Sequence, residues 1–182
     1  WASQLTAARA TLAAEARLAR AGLSALDRFS TRVDELIQDI YTVAGGETTT
    51  PVALLAIGGY GRAQLCLHSD IDLMVVFDGP IAAAEERLVR LILHPLWDLR
   101  LDIGHQVREL RDFDHVEVDN PKYLVALLEA RFLAGDRAVF ERFVAACLGE
   151  GSDWRAPMRN ALVELTAQRH AQFNRTVFHL EP

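Results

Sequence analysis

Apolar residues recur at helical intervals through the opening stretch, at Leu5, Leu12, Leu18, Leu23, Leu26, Phe29, Val33, Leu36, Ile37 and Ile40. No proline interrupts Ala2 to Val43, which is rich in Ala, Leu, Arg and Glu. The pattern predicts one long helix or two consecutive ones, ended by Gly45-Gly46. Thr48 to Pro51 reads as a loop. Val52 to Ile57 is a short unbroken apolar run closed by glycines, as expected of a buried strand. Ile71 to Phe77 predicts a second strand, stopped by Asp78-Gly79-Pro80.

Ile81 to Leu99 has helical spacing, with a kink or break expected at Pro95. Leu101 to Leu110 alternates well enough to predict a third strand. Asp119-Asn120-Pro121 is a helix start, a capping side chain followed by proline in the first turn. That helix is expected to run to Leu133 and stop at Gly135. Asp136 caps a further helix to Leu148, and Ser152 begins a last one reaching the C-terminus. The order gives an α+β (mixed α/β) chain: a helical segment at 1–46, a small β-containing core at 47–118 and a helical region at 119–182.

Composition narrows what such a fold can do. At 182 residues, half of them apolar and 24% charged, the chain is an ordinary globular one with room for a sizeable core. No apolar run is long enough to span a membrane. The sequence opens on Trp1 with no charged-then-apolar leader, and reads as a piece of something longer. A net charge of −6 argues against a broad nucleic-acid surface, although a single nucleotide needs only a few cations. Cys66 and Cys147 have neither a zinc spacing nor a disulfide framework, and are expected to be packing residues in a reducing cytoplasm.

The candidate chemistry lies between the first two strands. Gly58, Gly59 and Gly61 would leave backbone N–H groups open to a phosphate, and Arg62 adds a planar donor for its outer oxygens. Ten residues separate Gly59 from Asp70. Asp70 and Asp72, about 7 Å apart at Cα on one strand face, can converge on a divalent cation such as magnesium or manganese. Ser69 adjoins them. Ile71, Leu73, Val75 and Phe77 would face the core. On the third strand, alternation puts Asp102, Gly104, Gln106 and Arg108 on one face and Leu101, Ile103, His105 and Val107 on the other. Asp102 is the candidate third carboxylate, Gly104 would leave room for substrate, and Arg108 could reach a phosphate.

Other residues read more plainly. A dinucleotide-binding motif would need a third glycine where Gln64 stands, and no long helix follows. His105 is expected to be a core-facing structural histidine. Asp114-His115 is expected in an exposed loop, Trp97 and Trp154 in packing. His68, His94, His170 and His179 are scattered and suggest no ligand set.

Leu54 to Arg62 together with Ser69-Asp70-Ile71-Asp72-Leu73 resembles the DNA polymerase β-type nucleotidyltransferase superfamily. More narrowly, the chain is similar to the N-terminal domain of the bacterial PII uridylyltransferase/uridylyl-removing family. Pro95 to Asp98, Gly104 to Arg108 and Leu127 to Asp136 carry that narrower likeness, which extends from about residue 50 to Pro182. The resemblance implies magnesium-dependent transfer of UMP from UTP to a tyrosine hydroxyl of the signalling protein PII, in nitrogen metabolism. It implies that Gly58 and Gly59 cradle the triphosphate and that Asp70 and Asp72 hold the metal, with the third acidic position falling on Asp102. A related adenylyltransferase, or a nucleotide-binding regulatory domain without transfer, are the alternatives. Ala63-Gln64-Leu65-Cys66-Leu67 departs from the Gly-Glu-Leu and proline that usually follow the arginine. The family's uridylyl-removing and glutamine-sensing segments lie outside this sequence.

Overall fold

The computed structural model describes residues 1–17, 22–45, 48–114 and 120–172. The long opening pattern resolves into two helices, α1 (Ala2–Arg17) and α2 (Leu23–Ala44). The latter turns Phe29, Val33, Leu36, Ile37 and Ile40 inward at the spacing of one helix face. Strands β1 (Val52–Ala56) and β2 (Ile71–Phe77) form where the apolar runs predict them. Between them the glycine-rich stretch winds into a single turn, α3 (Gly58–Gly61), rather than an open loop.

Helix α4 (Ala83–Asp98) continues through Pro95 for a further turn, so the expected break comes at Leu99 instead. Strand β3 (Ile103–Glu109) is followed by a 3₁₀ turn at Leu110–Asp114. Asn120 caps α5 (Pro121–Leu127), its side chain accepting from the Tyr123 amide at 3.2 Å. The expected helix to Leu133 is not formed. Arg131–Gly135 is a fourth strand, β4, paired antiparallel with β1, so the region after 119 is not purely helical. Leu127, Leu128, Ala130 and Leu133 do have helical spacing, but the edge of β1 offers this segment a ladder of backbone hydrogen bonds that outweighs local propensity. Asp136 then caps α6 (Arg137–Leu148), as its side chain predicts, and α7 (Arg155–Gln172) closes the described chain.

The sheet order is β3-β2-β1-β4, with β1 antiparallel to both neighbours and β2 parallel to β3. Both faces are covered. Leu54, Ile71, Leu73, Val75 and Phe77 pack with α1, α2 and α4. Leu55, Met74 and Val76 pack with α5, α6 and α7. Burial on both sides explains why β1 is apolar at every position. Trp154 is in the second core, its indole N–H donating to the Phe113 carbonyl at 2.8 Å. Trp97 is not a core residue: it is 44% exposed and lies between the rings of His94 and His105. His105 is on the predicted face, but exposed and edge-on to Trp97 rather than buried. Cys147 is buried, which pushes its thiol up to about 12, whereas Cys66 is exposed and not a packing residue. Asp114 is exposed, and His115, Asp119 and His179 lie outside the described residues.

Candidate active site

The antiparallel pairing of β1 with β2 brings the glycine turn to the start of the acidic strand. Ala56 is opposite Leu73, and the Ile57 amide donates to the Asp72 carbonyl at 3.0 Å. Gly58 then takes a left-handed conformation, φ +56°, that an L side chain rarely adopts. A Cβ there would stand 3.2 Å from Asp72 Oδ2. The opening amides of a helical turn have no acceptor within the turn, so α3 presents N–H donors beside a carboxylate.

The three glycines do different things. Gly59 is open, the nearest foreign atom to a Cβ being Arg62 Nη2 at 3.7 Å. Gly61 is buried, and a Cβ would collide with the Glu129 carbonyl oxygen. Its small size therefore serves the approach of the chain entering β4, not the approach of a phosphate.

Asp72 belongs to the strand face that continues into Met74 and Val76, both fully buried. Its carboxyl pKa is raised, first by this burial and then by the negative charge of Asp70. Asp70 itself is exposed, immediately before β2. Parallel pairing sets Ile71 beside Ile103 and Asp72 beside Gly104, so Asp70 and Asp102 each immediately precede one of two neighbouring strands. The Ile71 amide donates to the Asp102 carbonyl at 2.9 Å, and the Asp102 side chain is exposed. Among the described residues no three carboxylate, imidazole or thiol side chains form a ready-made metal cluster. The structure thus pairs Asp70 with Asp72 and leaves Asp102 next to them on the rim. Gly104 makes room for the Asp72 carboxylate itself, since a Cβ would be 2.5 Å from Oδ1.

The remaining sequence candidates are engaged with protein groups. Arg62 is ion-paired through Nη1 with Glu129 Oε2 and is half exposed. Ser69 closes a turn, its hydroxyl accepting from the Cys66 amide at 3.1 Å. The Arg108 guanidinium lies over the Tyr123 ring at 5.5 Å.

Sequence reasoning misses a group of residues behind the glycine turn. Arg131, opening β4, donates through Nη1 and Nη2 to the two oxygens of Asp34 on α2, at 2.6 and 3.1 Å. It also donates to the carbonyls of Gly61 and Tyr60, at 3.1 and 3.2 Å. The Tyr60 hydroxyl donates to Asp34 Oδ1 at 2.5 Å. Burial, then the Asp34 charge, raise the Tyr60 pKa well above its ordinary value. No local pattern signals this group, because its partners are up to 97 residues apart.

The chain is similar to proteins named bifunctional uridylyltransferase/uridylyl-removing enzyme in several bacteria. That of Bordetella parapertussis is 40% identical over 71% of the chain and 15% of its own length. That of Photobacterium profundum is 36% identical over 84% of the chain and 18% of its own length. That of Burkholderia vietnamiensis is 35% identical over 99% of the chain and 21% of its own length. The chain thus spans about a fifth of these relatives or less. No family model matches it. A toxin–antitoxin crystal structure with AMP-PNP aligns over 78% of this chain and 95% of its own. Its TM-score of 0.39 and 15% identity are too low to bear on function.

Proposed function

We propose, from the premise that this chain belongs to the bifunctional uridylyltransferase/uridylyl-removing enzyme family, that it transfers UMP from UTP to a tyrosine hydroxyl of the signalling protein PII. Pyrophosphate would be the second product. The single observation that carries the reading is the contact between the left-handed Gly58 turn and the Asp72 carboxylate. It supports a reading in which amide donors for phosphate lie against an acidic pair at one end of the sheet.

Asp70 and Asp72 fit a divalent cation. They are hard oxygen donors near enough for the charge of one to raise the pKa of the other, a repulsion that a cation would relieve. Magnesium or manganese held by them would neutralise charge on the triphosphate and on the departing pyrophosphate. Amides of Gly58 and Gly59 would take phosphate oxygens, with no side chain to hold them off. Arg62, once drawn from Glu129, would bind the outer phosphates, with Ser69 and Arg108 as further donors. The tyrosine oxygen bonds to the α-phosphorus as the bond to the bridging oxygen of pyrophosphate breaks. The phenolic proton passes to Asp102, a reading supported by the hydrogen bond from the Ile71 amide, next to Asp70, to the Asp102 carbonyl.

Supporting a bacterial cytoplasmic setting, both cysteines are free thiols. No helix among the described residues is long and apolar enough to cross a membrane. The test is incorporation of labelled UMP from UTP into PII with magnesium. Asp70→Asn and Asp72→Asn should each abolish labelling without unfolding the protein. Labelling that survives both substitutions would sink the assignment, and nucleotide binding without transfer would make the chain a sensor.

A further inference from the structure

Helix α2 looks remote from the chemistry, yet two of its side chains reach the segment that forms the proposed nucleotide cradle. Ser30 is fully buried, and its hydroxyl accepts from the Leu65 amide at 3.0 Å. One turn later on the same face, Asp34 accepts from the Tyr60 hydroxyl and from both terminal nitrogens of Arg131. Arg131 in turn holds the carbonyls of Tyr60 and Gly61, and its guanidinium lies over the Tyr60 ring at 5.4 Å. Those carbonyls end the α3 turn whose first residue, Gly58, lies beside the Asp72 carboxylate.

We infer that Asp34, acting through Arg131, is a positioning residue that fixes the orientation of the Gly58–Gly61 turn and thereby sets affinity for the nucleotide triphosphate. The inference rests on the nucleotidyltransferase reading of that turn.

Geometry favours positioning over simple packing. Gly58, Gly59 and Gly61 have no side chains of their own to anchor a turn, so its orientation must come from contacts outside it. Tyr60 supplies the one large side chain, fully buried, and its hydroxyl ends on Asp34. Arg131 satisfies carbonyls at the C-terminal end of the turn with charge-assisted hydrogen bonds, while Asp34 holds the guanidinium in plane. The pair is mostly shielded, with side-chain exposures of 30% for Arg131 and 16% for Asp34. Burial acts to lower the Arg131 pKa, and the hydrogen bonds and charges of Asp34 and Tyr60 together more than offset it. The cation therefore stays charged where it grips the turn.

The experiment compares Asp34→Asn, Arg131→Lys and a control, Val33→Ala, in the whole chain. Val33 is a fully buried apolar residue of the same helix whose side chain has no hydrogen-bonding group, so its truncation reports loss of packing. Two readings are taken below every variant's melting temperature: KM for UTP in the transfer reaction, and Kd for a non-hydrolysable UTP analogue with magnesium. Asp34→Asn and Arg131→Lys should raise both on the order of tenfold to a hundredfold. KM for the acceptor protein should not move, and Val33→Ala should leave UTP affinity as it was. The inference is overturned if the two polar variants lose stability but keep the parental UTP affinity, or if Val33→Ala weakens it equally. Should the parent bind the analogue but transfer nothing, the transferase reading fails while the ratio of Kd values still decides the role of Asp34. A parent that neither binds nor transfers overturns both.

Discussion

The Asp72 carboxylate occupies the space that a side chain at residue 104 would need. The two residues are register partners on parallel strands, and a Cβ on Gly104 would stand 2.5 Å from Asp72 Oδ1. Gly104 therefore shapes the acidic pair from the neighbouring strand.

Gly104→Ala should displace the Asp72 side chain while leaving the sheet paired. Transfer should fall about a hundredfold, as expected when a reacting group is moved by about an ångström. Thermal stability should fall by no more than about 1–3 kcal/mol, the usual range for added bulk in a packed site. Unchanged kinetics in this variant would mean that the Asp72 position does not matter.

The raised pKa of Asp72 gives a pH dependence of definite sign. A carboxyl with a higher pKa in the folded state holds its proton better there, so it stabilises the fold in acid. That contribution is lost as pH rises from the ordinary value of 3.8 through the raised one. Asp72→Asn should match the wild type at the acidic end and be more stable above that window, although inactive. Magnesium should narrow the gap by stabilising the wild type alone. Urea midpoints across pH, with and without the cation, read this directly. A wild type more stable than Asp72→Asn at neutral pH, without metal, contradicts it.

Gly59 and Gly61 should separate binding from folding. Gly59→Ala meets only the end of Arg62, so it should keep the melting temperature and weaken UTP binding by narrowing the approach to the backbone. Gly61→Ala drives a methyl into the Glu129 carbonyl and should cost about 1–3 kcal/mol of stability. Calorimetry and nucleotide titration on both variants test the division. Equal effects on stability would refute it.

The two strands that carry the glycine turn and Asp72 are legible in the sequence because each is a short apolar run with a sharp stop. β4 is not, because Leu127 to Leu133 has helical spacing and no breaker, and only pairing with β1 makes it a strand. The glycines and the acidic pair are legible as neighbours through the strand–turn–strand order. Which glycine is open and which is packed against protein is not, since the Glu129 carbonyl that excludes a side chain at Gly61 comes from far along the chain. In the sequence Asp34 and Arg131 look like any acid and cation on two separate helices until the fold brings them together. Met74 and Val76 alternate with Leu73 and Val75 in a strand that is apolar throughout after Asp72. That pattern places Asp72 at a strand end, but does not reveal that its own face is a second core.

Arg62 offers a handle on nucleotide affinity. Its ion pair with Glu129 is half exposed, so it contributes about 0–1 kcal/mol to stability. Under the proposed function it would also compete with phosphate for the guanidinium. Glu129→Gln should therefore lower KM for UTP several-fold with little change in melting temperature, and Arg62→Ala should raise it. A higher KM in Glu129→Gln would show that the pair holds Arg62 in its working position instead.

Pyrophosphate release measured with UTP, ATP, GTP and CTP in turn, with and without PII, tests the central claim most directly. Release should require UTP, magnesium and PII together, and should vanish when Asp70 and Asp72 are both changed to asparagine. Release with ATP but not UTP, or binding of nucleotide with no release under any condition, would contradict it.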